Sequence, residues 1–444
     1  MNLRIDGTRI AAMAPDLTPV PGEAVFSAHG RLLLPGLVDA HTHSNDHLLR
    51  SMGQDLPLEL WSLRTSAARI GRSAHEVYVG ALLGCIEYLQ HGITTVLDHL
   101  KLDPMSEEGF AAAARAYADA GIRGIVAPIL QDLPLAATVP VTPGPNAFAR
   151  RSPLPAAEQL AMTDAFVARW GGAVGPSAPH RCSDALLAGC ADLARRRGVP
   201  LQLHVLETRL QRDTAARPTL ERLEALGCLG PSTSLVHAVW LARGDVERIA
   251  ASGASVVHCP LANAKLGSGL APIVALVENG VNVALGTDSA ACGDAHDLWT
   301  AMRFALLSPR SALPHHRWLG AAAGWRMATE AGARALGVGG AGRLAVGAPA
   351  DIVLLDLDRP AFVPLTDPVA QLVFAAGPAA VREVFAGGRL VLKDGWPTGF
   401  DAKALLTEAA QLGARRLALN RPWLESAWEL AAQLEHRLGS DGGG

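Results

Sequence analysis

The chain has 444 residues, 49% of them hydrophobic, enough for one large core plus a smaller domain. Its net charge is -3, with acidic and basic residues interspersed, which excludes the footprint of a nucleic-acid binder or of a protein held on an anionic membrane. A small-molecule partner is the expectation that remains.

The N-terminus, Met1-Asn-Leu-Arg-Ile-Asp-Gly7, places charge where a signal peptide needs its apolar stretch, and no apolar run approaches spanning length. Six scattered cysteines without a CxxC pair fit reduced thiols, so cytoplasmic residence is expected.

Residues 1–34 carry hairpin chemistry, with Asp6-Gly7 between short apolar runs, and read as small antiparallel strands. From residue 35 to 341, short buried-strand runs alternate with Ala/Leu/Arg-rich helical stretches, the pattern of parallel strands joined by helices. The strands are expected at 37–41, 93–98, 122–129, 173–177, 201–205, 234–239, 255–258 and 281–286. Eight of them suit a (β/α)8 TIM-like barrel, whose chemistry gathers where the strands end; an open doubly wound sheet is the alternative. Residues 131–155 are Pro-rich and aperiodic, too long for an idle connection, and are a candidate active-site lid or a surface excursion.

Residues 342–400 return to strand texture, including a hairpin with a Gly387-Gly388 turn, and are expected to join residues 1–34 in a small β-sandwich. Residues 401–444 form a helical extension with a Gly-rich tail expected to fray.

His41-Thr-His43 lies in Leu34-Pro-Gly-Leu-Val-Asp-Ala-His-Thr-His, and alternation along a strand points its two imidazoles the same way. That is half a metal site. His204, His237, His258 and Asp288 each follow an apolar run directly, with Glu207 three residues beyond His204. A single histidine ending a strand is more often a core residue than a ligand. Several on one rim reverse that reading. Imidazole and carboxylate donors without thiolate suit one divalent metal, Zn²⁺ first and Fe²⁺ as the alternative, with a position left open for water.

The chain resembles the amidohydrolase superfamily, in the branch with triazine chlorohydrolases and the guanine, cytosine and adenosyl-homocysteine deaminases. The resemblance is carried by Pro35-Gly-Leu-Val-Asp-Ala-His-Thr-His, Leu56-Pro-Leu-Glu-Leu-Trp61, Gly92-Ile-Thr-Thr-Val-Leu-Asp, His204-Val-Leu-Glu207, His258-Cys-Pro-Leu-Ala-Asn, Gly286-Thr-Asp-Ser and Gly347-Ala-Pro-Ala-Asp-Ile-Val. It implies a barrel flanked by a β-sandwich and one metal held by His41, His43, His204 and Asp288. It further implies His237 as a proton shuttle or a fifth ligand, Asp288 as the group that takes a proton from the attacking water, and Glu207 as general acid. Trp61 matches a tryptophan that lines the substrate pocket in relatives, where an indole can stack on a planar ring. His258 is placed as a substrate contact. Family members form dimers or larger homo-oligomers, which sets that expectation here.

Departures from the family pattern narrow the substrate. Members acting on adenosine-like nucleosides carry Gly-Pro-His-Ala-Pro where this chain has Gly175-Pro-Ser177-Ala-Pro-His180, and a glutamate where this chain has Ile70. Losing a charged acceptor for two hydroxyls costs a nucleoside site about a few kcal/mol. A smaller or more apolar N-heterocycle is therefore expected, with Ser177 and His180 as candidate contacts.

The leading expectation is an aminohydrolase that releases ammonia from a heterocycle. The same apparatus acting on C–Cl, N-alkylamine, urea or carbamate groups is the second, and a catalytically silent scaffold the third. Retention of every metal-ligand position speaks against the scaffold.

Overall fold

The computed structural model describes residues 1–142 and 144–440; the Gly-rich tail, 441–444, lies outside them. Eight parallel strands form the centre: β1 (Leu37–His43), β2 (Ile93–Leu100), β3 (Arg123–Leu130), β4 (Gly175–Pro176), β5 (Leu201–Val205), β6 (Thr233–His237), β7 (Ser255–His258) and β8 (Asn282–Leu285). Each pairs with the next, β4 reaching β5 through the single bridge Val174–Leu201. Past β8 the chain pairs Asp288 with Thr42 and Ser289 with His43, and this seam closes the (β/α)8 barrel.

Strand period explains why β1 serves two purposes. Asp39, His41 and His43 share its inward face, while Thr42 points outward and its hydroxyl meets the Tyr88 hydroxyl at 2.8 Å. Tyr88 belongs to the helix Ala74–Gln90, which starts in a capping box made by Ser73 and Glu76. At the inner end of the seam, Asp39 accepts from the Thr287 amide at 3.0 Å and from the Thr287 hydroxyl. Gly286 is required here, because a Cβ on it would stand 2.9 Å from the Cβ of His41 and 3.0 Å from Cys259 Sγ.

The small β-domain draws on both ends of the chain. Arg31–Pro35 pairs antiparallel with Ile352–Asp356, which pairs with Val381–Ala386, then Arg389–Lys393, then Trp396–Pro397. The hairpin Asn2–Asp6 with Arg9–Ala14 docks on it through the Ile10 amide and the Ala348 carbonyl. Gly387 and Gly388 make the expected turn with positive φ.

Two long helices, Ala402–Leu419 and Arg421–Ser440, return over the barrel. Leu430 and Leu434 of the second pack with Leu60 and Ile70 of the first barrel-mouth segment and with Val139 and Phe148 of the 131–155 excursion. No helix among the described residues is long and apolar enough to cross a membrane.

Candidate metal centre and active site

The C-terminal rim of the barrel gathers the imidazoles of His41, His43, His204 and His237 with the carboxylates of Asp288 and Glu207. His43 Nε2 lies 3.3 Å from His204 Nε2 and 3.3 Å from Asp288 Oδ1, and His41 Nε2 lies 3.8 Å from the same oxygen. His237 Nε2 is 3.5 Å from Glu207 Oε2 and 4.0 Å from Asp288 Oδ2. Ligand atoms of His41, His43 and Asp288, and of His41, His204 and His237, each fall within 4.8 Å of one another.

Each imidazole is held from behind. His41 Nδ1 donates to Gln202 Oε1 at 2.7 Å, and the Gln202 amide is itself oriented by donating to the Ala40 carbonyl at 2.9 Å. His43 Nδ1 donates to the carbonyl of His99, His204 Nδ1 to that of Ser177 at 2.6 Å, and His237 Nδ1 to Asn263 Oδ1 at 2.8 Å. Because an oxygen accepts at each Nδ1, the proton sits there and the four Nε2 lone pairs face one point. Burial holds His41 and His204 well below their usual range and His237 down to about 3, which keeps them in the neutral form that coordinates a cation.

This donor set fits a divalent ion. His41 Nε2 is buried and has no hydrogen-bond partner among the described residues, an expense that a coordinated cation removes. His237 and Asp288 adopt left-handed backbone, φ 71° and 63°, which L-residues rarely take. That turn ends β6 at His237, short of the expected Val239.

Glu207 is 5% exposed and faces the same space. Burial pushes its carboxyl well above the usual range, Asp288 and Glu59 add to the rise, and Arg181 opposes it. That direction favours the protonated form, the state a proton donor needs.

A cavity of about 310 Å³ opens over the rim. Trp61, Ser177 and His180 line it, together with Glu207, His237 and Asp288. Trp61 donates its Nε1–H to the Ala291 carbonyl at 3.1 Å, and Arg69 lies over its ring at 5.5 Å. The 131–155 excursion supplies one wall through residues such as Leu133, Val139 and Phe148.

Two positions lie off the cavity lining. His258 does not line the cavity: it is 2% exposed beside His237, and its Nδ1 has no partner among the described residues. Ile70 does not reach the cavity either, since it caps the helix Leu58–Arg69 from the side that packs against the C-terminal helix. An argument about substrate hydroxyls cannot rest on it.

Sequence reasoning left several participants without a part. Gln202 sits two residues before His204, on the same inward face, and that alternation is the signal that would have found it. Glu59, which accepts from the Thr208 hydroxyl at 2.7 Å, and the cations Lys101 and Arg181 also line the cavity. Nothing in their local pattern marks them.

Barrel and rim together define a hydrolase whose chemistry is built around a metal at the strand ends. Residues 32–391 match the amidohydrolase family, and the chain belongs to that family of metal-dependent hydrolases acting on carbon–nitrogen bonds. It is 37% identical over 82% of its length to a 5-methylthioadenosine/S-adenosylhomocysteine deaminase of Syntrophobacter fumaroxidans, covering 81% of that protein. A 5′-deoxyadenosine deaminase of Methanothermobacter thermautotrophicus is 35% identical over 93% of this chain and 94% of its own. Among solved structures, an adenosine deaminase from Xanthomonas campestris with bound zinc aligns at TM-score 0.77 and 30% identity, over 88% of this chain and 87% of that one. The atrazine chlorohydrolase TrzN of Arthrobacter aurescens aligns at TM-score 0.83 and 24% identity, over 93% and 94%, which speaks to the fold alone.

Proposed function

We propose that the chain is a metal-dependent aminohydrolase that releases ammonia from an exocyclic C–N bond of an N-heterocycle. The observation that carries this reading is Glu207, a buried carboxyl, raised by its burial, placed 3.5 Å from His237 Nε2 on the rim that gathers the imidazoles. His41, His43, His204 and Asp288 would hold one divalent ion, Zn²⁺ in the first place and Fe²⁺ in the second, with His237 facing the same point. When bound, the ion supplies Lewis-acid activation of water.

The chain's own residues supply the proton traffic. Glu207 donates to a ring nitrogen, which makes the adjacent amine-bearing carbon electrophilic. Asp288 accepts the proton that the attacking water gives up, and His237, 4.0 Å from Asp288 Oδ2, orients that water and passes protons toward the leaving amine. Trp61 offers an aromatic face to the ring. Relatives named for 5′-modified adenosines favour the deaminase reading over loss of chloride or an alkylamine. A cavity of about 310 Å³ lies at the lower end of the range for ligand sites, and Ser177 on its wall favours a compact heterocycle.

The test is ammonia release by zinc-loaded protein across aminopyrimidines, aminotriazines, guanine, adenosine and 5′-deoxyadenosine. Turnover of a heterocyclic amine is the expected result. Release of chloride or alkylamine from substituted triazines, without ammonia from any amine, would transfer the same residues to the second reading.

Cytoplasmic residence is part of this proposal, supported by six cysteines that are all free and buried. A homo-oligomer is proposed on the family tendency and is checked by light scattering.

A further inference from the structure

The cavity is lined by two cations that no carboxylate of the described residues pairs directly. Lys101 directly follows β2, and Arg181 ends the short turn Pro179–Arg181 after β4; both line the cavity. Among the described residues, no carboxylate oxygen lies within 4.0 Å of the Lys101 ammonium or the Arg181 guanidinium. The other two arginines on the wall are treated differently. Arg69 is paired with buried Asp46 at 2.6 Å, and Arg151 with Asp103.

Arg181 donates only to neutral partners, Ser62 Oγ at 3.2 Å and His180 Nε2 at 3.3 Å. The Lys101 ammonium donates to no described residue, although its backbone amide is fixed by Asn45 Oδ1 at 3.1 Å. Burial lowers both groups, Lys101 to about 7; Asp103 opposes the fall at Lys101 while Arg181 and Arg69 add to it, and at Arg181 Glu207 and Glu59 oppose it while Arg69 adds to it, all without direct pairing. Two part-buried like charges on one wall repel each other in the free protein, and an anion bridging them relieves that repulsion.

Their placement relative to the chemistry is fixed by the barrel. Strands β2 and β4 flank β3, so Lys101 and Arg181, which follow them, stand on the same side of the barrel mouth. Each cation is tied to a metal-facing imidazole by a short stretch of chain. The His99 carbonyl that holds His43 is two residues before Lys101, and the Ser177 carbonyl that holds His204 is four before Arg181.

We propose that Lys101 and Arg181 form an oxyanion subsite, so that the heterocyclic substrate carries a carboxylate or phosphate group that bridges them. The inference rests on the cavity being the place where a heterocyclic amine is deaminated, and it specifies which amines are taken. The planar guanidinium fork suits two oxygens of one group, and the ammonium adds a point charge to a third contact or to the same oxygen.

The experiment uses zinc-loaded protein and matched pairs: 4-aminopyrimidine-5-carboxylate with its carboxamide, and adenosine 5′-carboxylate and adenosine 5′-monophosphate with 5′-deoxyadenosine. Calorimetry reads binding and an ammonia assay reads turnover. An anionic member is expected to bind about tenfold or more tighter than its neutral partner, the usual worth of a charged hydrogen bond. Whether the carboxylates or the phosphate show the larger ratio identifies the oxyanion. Lys101→Met and Arg181→Met should each erase most of that ratio while leaving the neutral partner's binding within about threefold, and Arg181→Lys should restore part of it. If a Met variant does not fold, Lys101→Gln and Arg181→Gln decide the same question. Equal binding of charged and neutral members, or a ratio untouched by either substitution, overturns the subsite. Charge-selective binding with no ammonia from any compound overturns the deaminase reading and leaves the subsite standing; ammonia without charge preference does the reverse.

Discussion

The Gln202 side chain bridges two neighbours on β1, accepting from His41 Nδ1 at 2.7 Å and donating to the Ala40 carbonyl at 2.9 Å. One amide thus sets both the tautomer and the tilt of the most buried imidazole on the rim. Gln202→Leu removes the acceptor and leaves a buried Nδ1–H unsatisfied. We expect metal affinity to fall about 10- to 100-fold, the usual effect of removing such a support, measured by competition with a chelator of known strength. Unchanged retention would mean that His41 needs no partner to ligate.

Glu207→Gln keeps size and polarity but cannot deliver a proton. The variant should retain its metal while kcat drops by about 10² to 10⁴, the range assigned to a general acid. Retained turnover would remove Glu207 from the reaction.

The pH profile carries the same residue. Burial, Asp288 and Glu59 raise the Glu207 carboxyl, and it is the protonated form that acts, so activity should be full below its raised pKa and fall as pH climbs through it. A kcat profile recorded to alkaline pH should show that limb well above the normal glutamate range. A Glu207→Asp variant with residual activity should show it displaced.

Chelation should abolish turnover, and one equivalent of Zn²⁺ should restore it, with about one ion per chain by elemental analysis. The ion binds only the folded rim, so the metal-free protein should also melt at a lower temperature. Full activity in metal-free protein would sink the proposed chemistry.

Asp46 and Arg69 form a bidentate pair at 2.7 and 2.6 Å, with the Asp46 side chain fully buried. Burial alone pushes Asp46 up, but Arg69, helped by His43 and the Ser289 hydroxyl, overcomes it and holds the carboxyl at about 2. The lowered pKa means that the pair's contribution is complete above the ordinary aspartate range near 4 and is lost as pH falls through about 2. Asp46→Asn strands a buried guanidinium, and we expect a loss of about 3 kcal/mol in chemical denaturation at neutral pH that shrinks in acid. Equal stability of variant and parent at neutral pH would count against the pair as a structural tie.

By itself, the sequence determined the barrel and the half of the site that repeats with the strand. Eight apolar runs alternating with helices can close in few ways, and period two sends His41 and His43 to one side. His204, His237 and Asp288 were legible because each ends such a run, where a barrel collects its side chains. The tertiary structure decided what depends on neighbours distant in the chain. Gln202 meets His41 across 161 positions, and burial, not local pattern, raises the Glu207 carboxyl. The same distinction moved His258 off the cavity lining and Ile70 onto the C-terminal helix, since exposure at a strand or helix end is settled by what packs against it. Lys101 and Arg181 belong to that second kind. Each is an ordinary cation after a strand, and only the closed barrel places both on one cavity wall without a directly paired carboxylate.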